Sequence, residues 1–200
     1  HKGLFGTTTV VAGAPWTPGA AVLAVEGALR SGAGLVRLHA AGPVRRLALG
    51  RCPEIVLSPW SPPGDEGGVA PLDARAAREF LESTAALAAG PGLGTERETA
   101  AFLEQVLETR RGLGRRPPVV RDGDALNLLA GEKSWREWLD EGVLLTPHPG
   151  EAARLLGAAG GGEVQADRWA SAQRLAEEFG CLVLLKGWGS LVASPGGRVV

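Results

Sequence analysis

An apolar strand ends abruptly at Leu144-Leu145-Thr146-Pro147-His148-Pro149-Gly150-Glu151, where two prolines flank a histidine and a helix begins. The prolines fix the backbone just past the strand. Open α/β sheets bind their ligands at this edge, beyond the carboxyl ends of the strands. The segment therefore predicts that His148 is presented to a ligand. The alternative is a rigid strand-to-helix turn whose histidine is merely exposed, and the local sequence leaves both interpretations open.

Strand-like and helix-like stretches alternate on both sides of this segment. The predicted strands are residues 8–12, 35–40, 55–57, 85–89, 118–121, 143–145 and 181–185, with a hairpin of 190–193 and 198–200. The predicted helices are residues 20–30, 44–49, 72–82, 95–111 with Thr95 as cap, 124–129, 151–156 and 166–179, while 58–68 and 157–162 are predicted connectors. This alternation predicts an α/β fold with a mainly parallel central sheet and helices on both faces. We expect one domain over residues 1–200.

Composition excludes several classes of partner. With 21 basic and 22 acidic residues the formal net charge is −1, which leaves no broad positive field for nucleic acid or anionic lipid. No segment reaches the roughly 18 consecutive apolar residues of a membrane span, and no secretory signal is recognisable at the start. We expect a soluble protein that binds neither nucleic acid nor membrane, so any phosphate binding must be local.

Two residue types are used sparingly. Cys52 and Cys181 have no histidine or second cysteine at metal-ligand spacing, so we expect two buried thiols in a reducing cytoplasm, without zinc or a disulfide.

The chain has three lysines against eighteen arginines, and Lys2 and Lys186 each precede a glycine. A lysine before a flexible residue suggests a point charge for phosphate, with chance as the alternative.

Four glycine-containing loops follow predicted strands. They are residues 13–20, 90–94, 146–151 and 186–190. Carboxyl ends of parallel strands lie along one edge of a sheet, so the loops are predicted to converge on one crevice and offer backbone N–H groups to an anion. Neither the dinucleotide fingerprint nor the P-loop pattern is present. The loops therefore predict a nucleotide or phosphate site of another kind.

Several motifs occur in the order that is typical of one family. They are His1-Lys2-Gly3, residues 19–24 and 28–36, Pro53-Glu54, Gly90-Pro91-Gly92-Leu93-Gly94, Asp122-Gly123-Asp124-Ala125-Leu126-Asn127, residues 145–151 and Leu185-Lys186-Gly187. Together they resemble the ADP- or ATP-dependent NAD(P)H-hydrate dehydratases, a branch of the ribokinase-like superfamily. The resemblance runs over all 200 residues and implies a ribokinase-like fold.

The resemblance also implies a metabolite-repair lyase of the cytoplasm that uses ADP or ATP together with Mg²⁺. Family members transfer a phosphoryl group to the ring hydroxyl of hydrated NADH or NADPH and then eliminate phosphate, which restores the reduced cofactor. Hydroxide is a poor leaving group and phosphate a good one, so phosphorylation by the nucleotide prepares the hydroxyl for elimination. Two alternatives stay open: a ribokinase-like kinase acting on a vitamin-precursor alcohol, and a nucleotide-binding module without catalysis.

Residue roles carry over only where the motifs match. The residues implied to line the pocket for hydrated NAD(P)H are Ala20, Gly92, Gly94 and His148. Those implied to hold the adenine nucleotide are Lys186, Gly187, Trp188, Gly189 and Ser190, with Lys186 near phosphate. Asn127 is implied to orient phosphate or a magnesium-bound water, with no direct metal ligand from the protein. For the neighbouring Asp122 and Asp124, helix capping is an equal alternative.

The chain departs from the family pattern at three places. Ala12-Gly13-Ala14 stands where a Gly-Gly-Ser turn is usual, and Trp188 and Ser190 replace a small residue and a threonine. The Gly-Thr-Gly-Asp motif, whose aspartate is the expected catalytic base, is expected beyond Val200, so no catalytic residue is expected within residues 1–200 and the domain is expected to be truncated. A homo-oligomer and a fused NAD(P)H-hydrate epimerase domain before residue 1 stay open.

Overall fold

Strands and helices alternate along the chain in the computed structural model, which describes residues 2–61 and 68–200. The chain divides into two units, residues 1–118 and residues 119–200. His1 and the middle of the predicted loop 58–68 lie outside the described residues.

The first unit is built on parallel strands joined by helices. Its strands are β1 (Thr7–Val11), β2 (Leu35–His39), β3 (Val56–Leu57) and β4 (Ala86–Ala89), paired in the order β3-β2-β1-β4. Its helices are α1 (Pro18–Arg30), α2 (Gly42–Arg51), α3 (Ala74–Glu82) and α4 (Arg97–Arg111), after an initial 3-10 helix at Lys2–Phe5. A return to a parallel neighbour requires a crossover, and the helices supply it.

The second unit combines parallel strands with an antiparallel end. Its strands β5 (Val119–Arg121), β6 (Val143–Leu145) and β7 (Leu182–Leu185) are parallel, and β8 (Leu191–Ser194) and β9 (Arg198–Val199) continue the sheet antiparallel. Its helices are α5 (Asp124–Gly131), α6 (Pro149–Leu156), α7 (Gly161–Ala166) and α8 (Arg168–Phe179), with a 3-10 helix at Lys133–Trp138. The predicted α/β class and mainly parallel strands are confirmed.

Burial on both faces explains why β1 carries apolar residues at successive positions. Successive strand residues point to opposite faces, yet Val10 and Val11 are both fully buried. Both faces of β1 are therefore covered, as expected for a parallel strand between helices. Cys52 and Cys181 are free and buried, as predicted. Among the described residues, none of the helices combines the length and apolarity that crossing a membrane requires.

Two element predictions were wrong for identifiable reasons. The N-cap of α4 is Glu96, without a side-chain hydrogen bond, because the backbone stays extended one residue beyond the predicted cap Thr95. Residues 157–162 were predicted as a flexible connector, yet α7 begins within them at Gly161. Glycine is unfavourable in helix interiors, so the glycine-rich sequence predicted a loop where this short helix begins. Val164 of α7 is buried.

A histidine is buried at the carboxyl end of β2. The ring of His39 stacks on Phe102 at 4.9 Å and meets Phe80 edge-on at 5.4 Å between centroids. Its Nδ1 shares a hydrogen bond of 3.1 Å with the Ser58 hydroxyl, whereas Nε2 has no hydrogen-bond partner among the residues described. Burial, with a smaller effect of the Arg45 charge, lowers the pKa of His39 to about 3. The imidazole is therefore neutral in the folded protein.

Mild acid is expected to destabilise the fold through His39. The pKa of His39 is near 6.5 in the unfolded chain and about 3 in the fold. The stability that depends on burying the neutral imidazole is therefore fully present above pH 6.5 and is lost as the pH falls towards 3. The expected loss at pH 5 is about 2 kcal/mol. Denaturant unfolding at pH 7.5 and pH 5 should show this loss in the wild type and a correspondingly smaller one in His39→Gln. Equal losses in the two proteins would contradict the assignment.

Candidate functional site

Two of the predicted loops pack on one another in the first unit. β1 and β4 are parallel neighbours, with Val11 opposite Ala89, so the loops 13–20 and 90–94 leave from the same edge. The Gly13 N–H donates to the Pro91 carbonyl at 2.9 Å. The hydroxyl of Thr17 donates to the Gly92 carbonyl at 2.6 Å. The two loops are thus held together by backbone and side-chain hydrogen bonds.

The close approach of these loops requires glycine at position 92. Gly92 has φ +58°, and a Cβ there would lie 2.8 Å from the Ala20 Cβ and 3.0 Å from the Thr17 Cβ. The structure therefore brings together Ala20 and Gly92, two of the predicted substrate-binding residues. Gly94 follows in the same turn and is buried, with φ +84°, a backbone conformation that favours glycine.

In the second unit, His148 is the N-cap of α6. Its Nδ1 accepts hydrogen bonds from the N–H groups of Gly150 at 3.0 Å and Glu151 at 3.3 Å, and Glu151 Oε2 accepts from the His148 N–H at 2.8 Å. This is a capping box in which histidine takes the usual place of serine or threonine. Because Nδ1 is an acceptor, the hydrogen-bond pattern assigns the proton of the neutral ring to Nε2.

The imidazole of His148 is half exposed, at 52% of its side-chain area. Its Nε2 lies 3.4 Å from Glu151 Oε1. His148 therefore stabilises the start of α6 with part of its ring exposed, and its role toward a ligand stays a prediction.

Lys186 lies at the same edge as His148. Its N–H donates to the Pro147 carbonyl at 2.8 Å. Its Nζ forms an ion pair with Asp122 Oδ1 at 2.5 Å and lies 3.9 Å from Glu151 Oε2. Glu151 is 5% exposed. The loops that follow β5, β6 and β7 thus meet in a cluster of one lysine, two carboxylates and one histidine, which we call the lysine cluster.

Neither Asp122, which precedes α5, nor Asp124, its first residue, is the N-cap of that helix. Gly123 holds that position with φ +55° and no side-chain hydrogen bond caps the helix, while the Asp122 carboxylate faces Lys186. Asn127, one turn into α5, donates from Nδ2 to Asp124 Oδ1 at 3.3 Å and accepts at Oδ1 from Arg154 at 2.9 Å. Both ends of its amide are engaged, so its predicted role toward phosphate or Mg²⁺ stays a prediction.

The predicted nucleotide residues 186–190 form the turn between β7 and β8. The Trp188 side chain is 98% exposed, so the extra bulk at this position projects from the turn instead of filling it. An open cavity of about 460 Å³ lies beside the turn, bordered by Trp188, Gly189 and Trp169 among others. The hydroxyl of Ser190 donates to the Gly187 carbonyl at 3.4 Å.

Sequence reasoning missed three contributors to these arrangements. Glu151 carried a signal, since it follows His148 at the spacing of a capping box. Thr17 and Arg168 carried none, because their partners are distant in sequence: the Gly92 carbonyl for Thr17, and the backbone of the turn 186–190 for Arg168.

The lysine cluster is suited to an anion accompanied by a divalent cation. Lys186 attracts phosphate, and phosphate would compete with Asp122 for it. Within residues 2–61 and 68–200 no group of three His, Cys, Asp or Glu side chains is placed to hold a metal ion. Mg²⁺ is usually bound by one or two carboxylates together with substrate phosphates. The carboxylate of Asp122, which is one-third exposed, fits a magnesium ion of that kind, whereas the Glu151 carboxylate is held by the His148 N–H.

Replacing Gly92 by alanine is expected to destabilise the first unit by about 1–3 kcal/mol, because a Cβ is strained at φ +58° and meets Ala20. The matched control is Gly27→Ala within α1, where a Cβ meets nothing within 4 Å and alanine should stabilise the helix by about 0.5–1 kcal/mol. Denaturant unfolding of both variants checks the expectation. A Gly92→Ala protein as stable as the wild type would show that the loops can separate without cost.

Comparison with known proteins gives one consistent family. A family model described as NAD(P)H-hydrate dehydratase (Carb_kinase) matches residues 8–200. The bifunctional NAD(P)H-hydrate repair enzyme Nnr of Salinibacter ruber is 38% identical, over 100% of this chain and 36% of the relative. The ADP-dependent (S)-NAD(P)H-hydrate dehydratase of Neisseria meningitidis is 37% identical, over 98% of this chain and 60% of the relative. The chain thus spans only part of the length of these relatives.

Solved structures agree. The ADP/ATP-dependent NAD(P)H-hydrate dehydratase of Bacillus subtilis, co-crystallized with ATP/Mg²⁺, superposes with a TM-score of 0.74 at 29% identity, covering 100% of this chain and 64% of that chain. A ribokinase-like superfamily protein of Enterococcus faecalis has a TM-score of 0.79 at 22% identity, covers 100% of this chain and 63% of that chain, and confirms the fold. With its ribokinase-like α/β fold and a family match over residues 8–200, the chain belongs to the NAD(P)H-hydrate dehydratase family.

Proposed function

We propose that this chain carries the dehydratase activity of a metabolite-repair enzyme, a lyase that restores hydrated NADH and NADPH at the expense of ADP or ATP. The observation that carries the proposal is the lysine cluster, in which Lys186 faces Asp122 and Glu151 beside His148. Its residues come from the motifs on which the sequence resemblance rests, and its charges suit a nucleotide phosphate with Mg²⁺.

On the nucleotide side, Lys186 is the proposed phosphate contact. Its side chain is 37% exposed, so a phosphate can reach Nζ and replace Asp122 as its partner. The residues proposed to hold the rest of the nucleotide are Gly187, Trp188, Gly189 and Ser190. Glycine backbone in such a turn can donate N–H groups to an anion.

In place of the expectation of no direct metal ligand, the proposed magnesium ligand from the protein is the carboxylate of Asp122, with Asn127 supporting phosphate or a metal-bound water. When bound, Mg²⁺ neutralises charge on the transferring phosphoryl group. Release of Lys186 from Asp122 by a phosphate frees that carboxylate for the cation. Nucleotide and metal are therefore expected to bind together.

On the substrate side, the proposed contacts are Ala20, Gly92, Gly94 and His148. The glycine backbone of the turn 90–94 permits close approach of a ligand. The Nε2–H of His148 can donate a hydrogen bond to a hydroxyl, amide or phosphate oxygen of the hydrated cofactor. That all four glycine-containing loops line one crevice stays a prediction.

The proposed reaction has two stages. The phosphoryl group passes from the nucleotide to the oxygen of the ring hydroxyl, which gives up its proton. The lone pair of the ring nitrogen then expels phosphate as the C–O bond breaks, and loss of a proton from the adjacent ring carbon restores the double bond. The expected base for the first stage, the aspartate of a Gly-Thr-Gly-Asp motif, stays an expectation for sequence beyond Val200. A fused epimerase domain, a homo-oligomer and a cytoplasmic location also stay predictions.

The test of the function uses the full-length gene product that contains this chain. Supplied with hydrated NADH, ADP or ATP and Mg²⁺, it should regain the near-ultraviolet absorbance of the reduced nicotinamide ring. Lys186→Met should lower kcat/KM by about 100-fold, the usual cost of losing one preorganised electrostatic contact. The surface variant Arg75→Ala, which removes an exposed pair with Glu79, is the control and should be unaffected.

Three outcomes would contradict the proposal. No gain of absorbance with either nucleotide would exclude the dehydratase activity. A stable phosphoester product would favour a small-molecule kinase. Tight nucleotide binding with unchanged substrate would favour a binding module without catalysis.

Two substitutions separate the binding role of His148 from its capping role. His148→Ala should raise the KM for the hydrated cofactor about tenfold, the cost of one hydrogen bond, and also destabilise the protein by about 1 kcal/mol through the lost cap. His148→Asn keeps a side-chain oxygen for the cap and removes Nε2, so it should raise KM equally at nearly wild-type stability. A wild-type KM in His148→Asn would leave His148 with a structural role only.

A further inference from the structure

The guanidinium of Arg168, at the start of α8, binds both ends of a short backbone segment that runs from the last residue of β7 into the following turn. Its Nη1 donates to the Trp188 carbonyl at 2.7 Å and its Nη2 donates to the Leu185 carbonyl at 3.3 Å. These carbonyls flank Lys186 and Gly187. One side chain from α8 therefore bridges the segment that presents Lys186.

The guanidinium occupies the space that a side chain at position 187 would need. A Cβ on Gly187 would lie 2.9 Å from Nη2 and 3.1 Å from Cζ of Arg168. The Arg168 Nε is buried and has no hydrogen-bond partner among the residues that the structure describes. Withdrawing part of a charged group from water is costly. The two charge-assisted hydrogen bonds to carbonyls offset this cost.

Arg168 is itself held in place by the start of its helix. Asp167 is the N-cap of α8, and its Oδ1 accepts from the Ala170 N–H at 2.9 Å. The guanidinium therefore extends from a fixed backbone. In contrast, the turn it binds has a long hydrogen bond of its own, from the Ser190 hydroxyl to the Gly187 carbonyl at 3.4 Å.

We infer that Arg168 is a positioning residue for nucleotide binding, which sets the backbone of Leu185 to Trp188 and thereby the direction of the Lys186 side chain. The inference rests on the proposed function, because it concerns the turn that is proposed to hold the nucleotide. Arg168 acts through that turn and is not itself a proposed nucleotide contact. Since a lysine ammonium lacks the planar fork that reaches two carbonyls, Arg168→Lys should replace it only in part.

The test compares Arg168→Ala and Arg168→Lys with the wild type in the full-length gene product. The matched control is Arg174→Ala, on the same helix, where Arg174 pairs with Glu178 at 2.7 Å on the surface. For each protein, the Kd for ADP with Mg²⁺ is measured by calorimetry, the KM for the hydrated cofactor by the absorbance assay, and the thermal midpoint by scanning.

We expect the Kd for ADP to rise at least tenfold in Arg168→Ala and less in Arg168→Lys, with the KM for the hydrated cofactor within twofold of the wild type. Added methylguanidinium should recover part of the ADP affinity of Arg168→Ala. Arg174→Ala should bind ADP like the wild type.

The inference is overturned if both Arg168 variants bind ADP within twofold of the wild type. It is also overturned if the KM for the hydrated cofactor rises in parallel with the Kd for ADP and methylguanidinium restores neither, because that result indicates a general structural role. If Arg168→Ala does not fold, the Kd of Arg168→Lys decides. A wild-type protein that binds neither ADP nor ATP would instead overturn the proposed function, and the two failures are therefore distinguishable.

Discussion

Parallel pairing of β6 with β5 on one side and β7 on the other is the constraint on which the lysine cluster depends. Strands that run in the same direction end at the same edge, so Asp122, His148 and Lys186 arrive together although they are far apart in sequence. The pairing extends beyond the strands, since the Lys186 N–H donates to the Pro147 carbonyl. The Pro147-His148-Pro149 turn is thereby attached to its neighbour and not only to its own strand.

Glu151 both holds the backbone at His148 and contributes a negative charge beside Lys186. It is nearly buried, and its carboxylate accepts the His148 N–H, approaches the imidazole and faces the ammonium of Lys186. Exposed ion pairs contribute little stability, so the half-exposed pair of Lys186 with Asp122 is easily exchanged for another anion. The Glu151 carboxylate is also hydrogen-bonded to the backbone N–H of His148, so it is held in place more firmly than the Asp122 carboxylate. The cluster thus combines one exchangeable partner with one fixed partner for the same lysine.

The features that could be predicted from the sequence are those determined by residues close together in the chain. The strand at residues 143–145, the prolines around His148 and the glycine-rich turns 90–94 and 186–190 follow from residue types and spacing. The start of α7 could not be predicted because its first residues are glycines. The partners of Asp122 and Arg168 are set by tertiary packing, and no residue close to either in sequence indicates them.

The hydrogen bonds of His148 limit the chemistry it can perform. A neutral imidazole has a single lone pair able to take a proton, and here that lone pair, on Nδ1, is directed at two backbone N–H groups at the start of α6. The ring can offer a hydrogen to a bound molecule but cannot remove one without disrupting the helix start. In the proposed reaction, deprotonation of the attacking hydroxyl is therefore assigned to a group other than His148.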